Sequence, residues 1–317
     1  MFAESSFLIG AIILLLGVSL DKVLGEPRRF HPLIGFGNWA NWLEKQCRRL
    51  NWLSERQQGI VAWCLAVIPA VLGCYLLVKV LLIKCFWLWF CVNAFMLYLT
   101  LGGKSLVQHA DNIYCPLQQG DLEGARQQVA MIVSRNTDKM TETEIVSSAV
   151  ESVLENGNDA VFAPMIWFLL LGAPGAVLLR LTNTLDAMWG YKNAKYLQFG
   201  YLSAKSDDLL GWLPARITAL FYALQGDARC GLRCWSTQAK DCKSPNGGVA
   251  MSTGAGALGV KIGGPTYYDG VLIDKKPMGV DLPATAETIP RANRLVSRGA
   301  FLLAGLTLVI ALFWELF

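Results

Sequence analysis

Charged residues are scarce in this chain, and their scarcity decides its class. Asp, Glu, Lys and Arg make up 16% of the 317 residues, whereas hydrophobic residues make up 54%. A soluble domain carries about 25% charged residues. The composition therefore excludes a disordered or collagen-like chain and predicts an integral membrane protein. The net charge of +4 is too small to indicate a nucleic-acid partner.

Metal-ligating and nucleophilic motifs are also lacking. The histidines are His31 and His109, and none of the nine cysteines belongs to a CxxC motif. This shortage argues against a zinc site. Several cysteines lie inside apolar runs, which is typical of buried hydrophobic thiols in a reducing compartment. No Gly-x-Ser-x-Gly motif indicates a covalent serine nucleophile.

Long apolar runs are what the sequence does contain. A membrane helix needs about 17–25 apolar residues, and five segments come near this length, at residues 2–20, 59–78, 85–101, 160–181 and 299–317. The fourth is interrupted by Gly172, Pro174 and Gly175, which permits a re-entrant hairpin. We predict an all-α integral membrane protein with about four to six membrane segments.

Loop charge predicts the orientation of these segments. Residues 22–58 carry seven Lys or Arg and residues 1–6 carry none, which places the first loop in the cytoplasm. Segments 21–58, 102–159 and 182–298 are then all cytoplasmic if residues 160–181 enter and leave on one side. A crossing at 209–224 would also close the count, although Arg216 argues against it. We predict one membrane-embedded domain over residues 1–317, with its site on the cytoplasmic helices and loops.

Local signals predict the structure of two polar segments. Residues 120–156 read as helical, with Asp121 at one helix start and a capping box that begins at Thr141. Residues 243–290 are rich in Gly and Pro, so we expect loops with short strands or turns there.

Three carboxylates are spaced so that a helix would stack them on one face. Glu151, Glu155 and Asp159 lie at positions i, i+4 and i+8, where like charges repel. Mg²⁺ with substrate phosphates would offset the repulsion. A solvated acidic face is the alternative, but the run leads directly into an apolar segment, where free charge is costly.

A second polar group flanks the far side of that apolar segment. A hairpin would return Asn183 and Asp186 towards Asp159. Asp207 and Asp208 follow, and the neighbouring cations are Lys192, Lys205 and Arg216. Such acids and cations together are typical of a site for metal and phosphate, although a helix N-terminus and interfacial lysines would also explain them.

Two glycine motifs look like nucleotide sites but lack the right context. Residues 102–105 read GGKS, yet Tyr98 stands where a P-loop needs its first glycine. Lys104 stays a candidate phosphate contact. The GxGxxG at 254–259 has no βαβ unit around it, so close packing of small residues is favoured.

The polar strings, taken in order, resemble the CobD/CbiB family of adenosylcobinamide-phosphate synthases. The resemblance covers residues 21–298 and is carried by DKVLGEP at 21–27 with His31 and Pro32, GKSL at 103–106, SRNT at 134–137, ESVLEN at 151–156 with Asp159, NTLD at 183–186, GYK at 190–192, SAKSDD at 203–208, LPAR at 213–216, SPNG at 244–247 and ALG at 257–259. The family usually has Asp where Asn136 stands and Thr where Gly157 stands. The arginine, glutamate and paired aspartates are retained.

The resemblance implies an ATP-dependent amide ligase of cobalamin biosynthesis. It would join adenosylcobyric acid to aminopropanol phosphate or ethanolamine phosphate, with ATP and Mg²⁺ as cofactors, although no ATP-binding motif is visible. The implied catalytic residues are Glu155, Asp159, Asp186, Asp207 and Asp208, of which all but Asp207 are also candidate Mg²⁺ ligands. The implied substrate and phosphate contacts are His31, Lys104, Arg135, Asn156, Asn183, Lys192, Lys205, Arg216 and Asn246.

The resemblance also implies a location and partners. We expect a multi-pass protein of the bacterial inner membrane, in contact with lipid, whose site faces the cytoplasm. Homo-oligomers or proteins of the cobalamin pathway are its expected protein partners. The alternatives are a membrane transferase acting on isoprenoid diphosphates, a non-catalytic membrane sensor and a transporter. A transferase would normally show DDxxD-type repeats, and a transporter would bury charges in mid-helix.

Overall fold

The computed structural model describes residues 5–27, 32–133, 136–264, 266–268, 271–273 and 275–316. These residues form thirteen α-helices and four three-residue strands, which confirms the all-α fold class. The helices are α1 (Ser5–Leu24), α2 (Pro32–Cys47), α3 (Glu55–Lys84), α4 (Phe86–Thr100), α5 (Gly103–Gln118), α6 (Leu122–Ala130), α7 (Glu142–Gly157), α8 (Ala163–Leu171), α9 (Ala173–Trp189), α10 (Tyr201–Leu224), α11 (Ala228–Gln238), α12 (Gly247–Leu258) and α13 (Thr288–Leu316).

Four stretches of the described helices are long and apolar enough to cross a membrane. They are Phe7–Leu24, Glu55–Lys84, Phe86–Gln118 and Thr288–Leu316. They overlap four of the five predicted apolar segments, the exception being residues 160–181. Neither that segment nor residues 209–224 forms such a span. Residues 209–224 instead belong to α10.

Residues 160–181 form a helical hairpin. The helices α8 and α9 pack on each other and are joined at Gly172, whose φ of 69° lies in the left-handed region that suits glycine. A side chain on Gly175 would collide with the carbonyl oxygen of Trp167, eight residues earlier, so the chain reverses here. At about 1.5 Å per residue, α8 reaches about 14 Å, less than half of a hydrocarbon core.

Contacts divide the chain into two compact units. The first unit comprises residues 1–102, 163–211 and 304–317, and the second comprises residues 103–162 and 212–303. In the first unit α2 and α3 pack on α9 around Leu43, Trp189 and Phe199, while α4 packs on α1 and α9. In the second unit α5 and α6 pack on α7, and α11 packs on α12. The prediction of a single membrane-embedded domain stays a prediction.

The helix starts predicted at Asp121 and Thr141 are confirmed. The Asp121 side chain accepts the Gly124 N–H at the start of α6. Thr141 and Glu144 form both hydrogen bonds of a capping box at the start of α7. The capping box begins α7, and a π turn at Asn158–Phe162 follows α7 directly. The chain therefore runs without a loop from the capping box to α8.

The expectation of loop structure over residues 243–290 is wrong in part, because α12 lies within it. All twelve residues of α12 are buried, and Gly254 and Gly256 lie where a side chain would collide with Leu154 and with Cys234. Tight packing thus outweighs the low helix propensity of glycine. The GxGxxG motif is a site of close packing, as predicted.

The expected short strands follow α12. They are β1 (Lys261–Gly263), β2 (Thr266–Tyr268), β3 (Val271–Ile273) and β4 (Pro277–Gly279). β1 pairs antiparallel with β4, and β2 pairs antiparallel with β3. Lys261 is paired with Gly279, and Thr266 is paired with Ile273. The register of the second pair of strands is therefore shifted by one residue relative to the first.

The approach of α3 to the chain before α10 depends on one glycine. A side chain at Gly59 would collide with the carbonyl oxygen of Phe199, whereas one at Gly73 in the same helix would meet nothing within 4 Å. We expect Gly59→Ala to lower the free energy of unfolding by about 2 kcal/mol or more. Thermal unfolding in detergent measures this, with Gly73→Ala as the matched control. Equal melting temperatures for the two variants would contradict the close approach.

Candidate active site

Four predicted polar residues come together in the first unit, between α9 and the start of α10. The amide of Asn183 donates to Asp207 Oδ1 at 3.3 Å. The carboxylates of Asp186 and Asp208 lie close enough to interact electrostatically. Lys205 lies at the edge of the group, with its Nζ 4.0 Å from Asp208 Oδ2. The group of Asn183, Asp186, Asp207 and Asp208 is called the acidic cluster below.

The carboxyl group of Asp186 lies in the acidic cluster beside Gly190. Burial raises its pKa to about 6, and the Asp208 carboxylate adds to the rise. Gly190 leaves room for this carboxylate, because a side chain there would collide with Asp186 Oδ1. Crowded acids with a raised pKa are typical of functional sites, although structural networks also produce them.

Glu44 is a buried glutamate that the sequence analysis missed. It binds the segment between α9 and α10, which joins the two halves of the acidic cluster. Glu44 Oε1 lies 2.9 Å from Arg48 Nε and 3.1 Å from Lys195 Nζ. The hydroxyl of Tyr196 donates to Glu44 Oε2 at 3.3 Å. Arg48 also donates to the carbonyl of Lys195 and covers the ring of Phe199. Residues 195–199 are thereby fixed on α2.

A second ion pair was also missed. Arg180 Nη2 lies 3.5 Å from Glu26 Oε1, and the Tyr98 hydroxyl donates to the neighbouring carbonyl of Gly25 at 2.6 Å. Glu26 belongs to the DKVLGEP string, which the sequence analysis noted without naming its partner. The signal was available, because Arg180 is a charge inside a predicted apolar segment, where charges usually have a partner.

Three other predicted residues gather in the second unit, at the start of α12. The carboxylate of Glu155 lies against Gly247, where a side chain would collide with it. Arg216 Nη1 donates to Asn246 Oδ1 at 2.9 Å. The Gly247 N–H donates to Ser244 Oγ at 2.9 Å. Glu155, Arg216 and Asn246 thus surround one helix N-terminus, where backbone N–H groups favour negative charge.

Asp159 lies in the π turn rather than on a continuous α-helix. Its Oδ1 accepts from the Asn158 amide at 2.7 Å, and Asn158 Oδ1 accepts from the Thr218 hydroxyl at 2.9 Å. The buried Tyr222 hydroxyl donates to the Leu154 carbonyl. Burial raises the pKa of Tyr222, and the Asp159 carboxylate raises it further. π turns occur frequently at functional sites.

The three acids of the predicted stack lie in different surroundings. Glu151 accepts from the Ser147 hydroxyl at 2.9 Å and from the Gly263 N–H at 3.1 Å. It therefore fastens β1 to α7 by hydrogen bonds. Glu155 and Asp159 have the separate surroundings described above, so the repulsion is relieved in part by different partners for each carboxylate.

The remaining predicted residues are Lys104, Asn156 and Lys192, together with His31 and Arg135. Asn156 is exposed and donates to the Ser152 carbonyl within α7. Lys192 is exposed in the loop after α9, and Lys104 lies in the first turn of α5. His31 and Arg135 lie outside the described residues.

The acidic cluster fits Mg²⁺ better than a metal bound by protein ligands alone. In the described part of the chain, no three His, Cys, Asp or Glu side chains are arranged to hold a metal ion. Mg²⁺ is usually held by one or two carboxylates together with water and substrate phosphates. Asp186 and Asp208, with the amide of Asn183 nearby, supply that donor set.

Comparison with known proteins decides the family. The family described as CobD/Cbib protein matches residues 14–296, which include every candidate residue named above. The chain belongs to the CobD/Cbib family. The resemblance carried by the polar strings is thereby confirmed, and the CobD/Cbib family is one of cobalamin biosynthesis.

Similar proteins cover nearly the whole chain. A cobalamin biosynthesis protein CobD from Chromobacterium violaceum is 47% identical over 95% of this chain and 97% of its own. One from Stutzerimonas stutzeri is 47% identical over 93% and 94%. One from Halalkalibacterium halodurans is 34% identical over 88% and 89%. No solved structure matches this member of the CobD/Cbib family.

The raised pKa of Asp186 predicts a stability that depends on pH. The charged carboxylate destabilises the folded state above pH 6, and this penalty disappears as the pH falls from about 6 to about 4. We expect Asp186→Asn, in the absence of metal, to raise the melting temperature at pH 7 by about 2 °C or more. The gain should vanish near pH 4. Thermal unfolding in detergent with a chelator measures it, and a lower melting temperature at pH 7 would show that the charge is stabilised.

The Glu44 network predicts a loss of stability when its one carboxylate is neutralised. Glu44→Gln leaves Arg48 and Lys195 facing each other without a counter-charge. Because Lys195 is largely exposed, we expect a cost of about 1–2 kcal/mol rather than that of a fully buried pair. The exposed Glu55→Gln in α3 is the matched control. A melting temperature for Glu44→Gln equal to that of the control would refute this role.

Proposed function

We propose that the chain is an ATP-dependent amide ligase that joins adenosylcobyric acid to an aminoalcohol phosphate and yields adenosylcobinamide phosphate. The observation that carries the proposal is the acidic cluster, in which Asp186 and Asp208 interact electrostatically, with Asn183 and Lys205 nearby. Membership of the CobD/Cbib family supplies the class of substrate. The aminoalcohol phosphate is aminopropanol phosphate or ethanolamine phosphate.

The reaction needs activation because a carboxylate is a poor electrophile. Transfer of the terminal phosphoryl group of ATP to the corrinoid carboxylate forms an acyl phosphate and releases ADP. The ammonium group of the aminoalcohol phosphate loses a proton, and its nitrogen then attacks the acyl carbon. The amide forms as phosphate leaves. Catalysis of such transfers depends mainly on positioning and charge stabilisation.

The chain's own residues would divide this work by charge. Asp186 and Asp208 would hold Mg²⁺ in the first unit, and Glu155 and Asp159 are the corresponding candidates in the second. When bound, Mg²⁺ neutralises charge on the transferring phosphoryl group. Asp207 would accept a proton from the attacking ammonium group.

The cations and amides would position the substrates. The candidates for binding phosphates are Lys104, Arg135, Lys192, Lys205 and Arg216, and those for hydrogen bonds to corrin amides or phosphate are His31, Asn156, Asn183 and Asn246. The Arg216–Asn246 contact supports a joint role for these two residues. We propose that the site faces the cytoplasm at the bacterial inner membrane, since the loops with most Lys and Arg also carry the candidate residues.

The test is an assay of the full chain reconstituted in lipid. It is incubated with adenosylcobyric acid, each aminoalcohol phosphate in turn, ATP and Mg²⁺, and mass spectrometry follows the amide-linked corrinoid and ADP. We expect equal amounts of product and ADP, and no product without ATP. Asp208→Asn and Glu155→Gln should each lower the rate about 100-fold or more, because each removes a charge that would act on Mg²⁺ or on a transferred proton.

The matched control is Glu142→Gln, which changes an exposed acid on the same helix as Glu155. Its rate should stay within about twofold of the original, since surface changes are usually small. Absence of product with every aminoalcohol phosphate, from folded protein that also binds no corrinoid, would overturn the ligase. A non-catalytic sensor or an isoprenoid diphosphate transferase would then be favoured. An unchanged rate in Glu155→Gln alone would remove Glu155 from the site.

A further inference from the structure

The helix α2 lies between two candidate membrane spans. It follows the span in α1 after residues 25–31 and precedes the span in α3 by residues 48–54. Seven residues reach at most about 25 Å when fully extended. Because both neighbours are candidate membrane spans, each end of α2 lies within about that distance of a span.

One face of α2 is occupied by protein. Ala40, Leu43 and Cys47 are buried in the core that also contains Trp189 and Phe199. Glu44, on the same side, is buried with its ion-pair partners. These contacts settle which face of α2 points inward, and the opposite face carries exposed side chains.

The opposite face combines aromatic rings with positive charge. Trp39 and Trp42 are 46% and 50% exposed, and their rings stack with centroids 5.0 Å apart. Ile34 is 64% exposed on the same side. Lys45 is exposed one turn beyond Trp42, and Arg49 is exposed in the turn that follows α2. These five residues are called the α2 outer face below.

The charge of the α2 outer face is not balanced locally. Glu44 is the only acidic residue between positions 32 and 54, and it is buried against Arg48 and Lys195. Trp side chains prefer the interface between lipid and water. Basic residues next to a membrane span attract anionic lipids.

We propose that the α2 outer face binds the surface of the bilayer and selects anionic phospholipids. Trp39 and Trp42 insert at the level of the headgroups, and Lys45 and Arg49 contact the lipid phosphates. The complementary charge and the attachment of α2 to two spans favour a lipid leaflet over a soluble partner. This binding does not depend on the ligase proposed above.

The test uses the full chain in nanodiscs and the fluorescence of Trp39 and Trp42. Their signal is the difference between the original protein and the Trp39→Phe/Trp42→Phe double variant. Phosphatidylglycerol or phosphatidylcholine with brominated acyl chains is added as a minor component. We expect both lipids to quench this signal, and phosphatidylglycerol to quench it at least about twofold more strongly. Lys45→Gln with Arg49→Gln should abolish the difference and keep the quenching by phosphatidylcholine.

The matched control is Lys79→Gln with Lys84→Gln, which removes two exposed lysines from the other end of α3. It should leave the preference for phosphatidylglycerol at Trp39 and Trp42 unchanged. Equal quenching by the two lipids in the original protein would overturn the selection of anionic lipid. Absence of quenching by either lipid would overturn membrane contact altogether. Quenching by added corrinoid in place of lipid would assign the α2 outer face to the substrate.

Discussion

The structure depends on the cost of placing charge and unpaired backbone groups in hydrocarbon. Helices satisfy their own backbone and are therefore the natural way to cross a bilayer. The four apolar spans carry at most two charged residues in their most apolar windows. The candidate acids lie elsewhere, on α7, on α9, at the start of α10 and in the π turn after α7. The separation of the apolar spans from the candidate acids follows from this cost.

The second constraint on the structure is the repulsion between crowded carboxylates. Asp186 and Asp208 repel each other, and the burial of Asp186 adds to the penalty. Such an arrangement persists only where surrounding contacts hold it in place. Gly190 makes room for Asp186, and Glu44 fixes residues 195–199 on α2. The stability lost at the acidic cluster is thus offset by ordinary packing and ion pairing a short distance along the chain.

Small residues allow the helices of the second unit to pack closely. The helix α12 consists largely of Gly, Ala, Ser and Thr, and it is buried along its whole length. Its small side chains allow α7 and α11 to approach its backbone closely, as the contacts of Gly254 and Gly256 show. The N-terminus of α12 is then available to Glu155, Arg216 and Asn246. The close packing around α12 and the gathering of these three residues at its N-terminus therefore both depend on the small side chains of α12.

The sequence alone determined the membrane class, four of the spans and the helix starts at Asp121 and Thr141. It also indicated that the GxGxxG motif is a site of close packing. These features depend on local signals that a sequence states directly. Local signals also indicated the break at Gly172, and the reversal there gave the fourth apolar segment its hairpin. The individual acids of the candidate site were found because carboxylates beside apolar segments are costly and hence conspicuous.

Only the tertiary structure decided which partners these residues have. Glu151 was grouped with Glu155 by helical spacing, yet it binds Gly263, which lies more than a hundred positions away. The partners of Arg180 and Glu44 lie 154 and 151 positions away from them, at Glu26 and Lys195. The sequence predicted loop where α12 forms, because glycine disfavours an isolated helix and burial reverses that preference. Spacing fixes the face of a helix, whereas the partner on that face is chosen by distant segments that the chain brings close only when it folds.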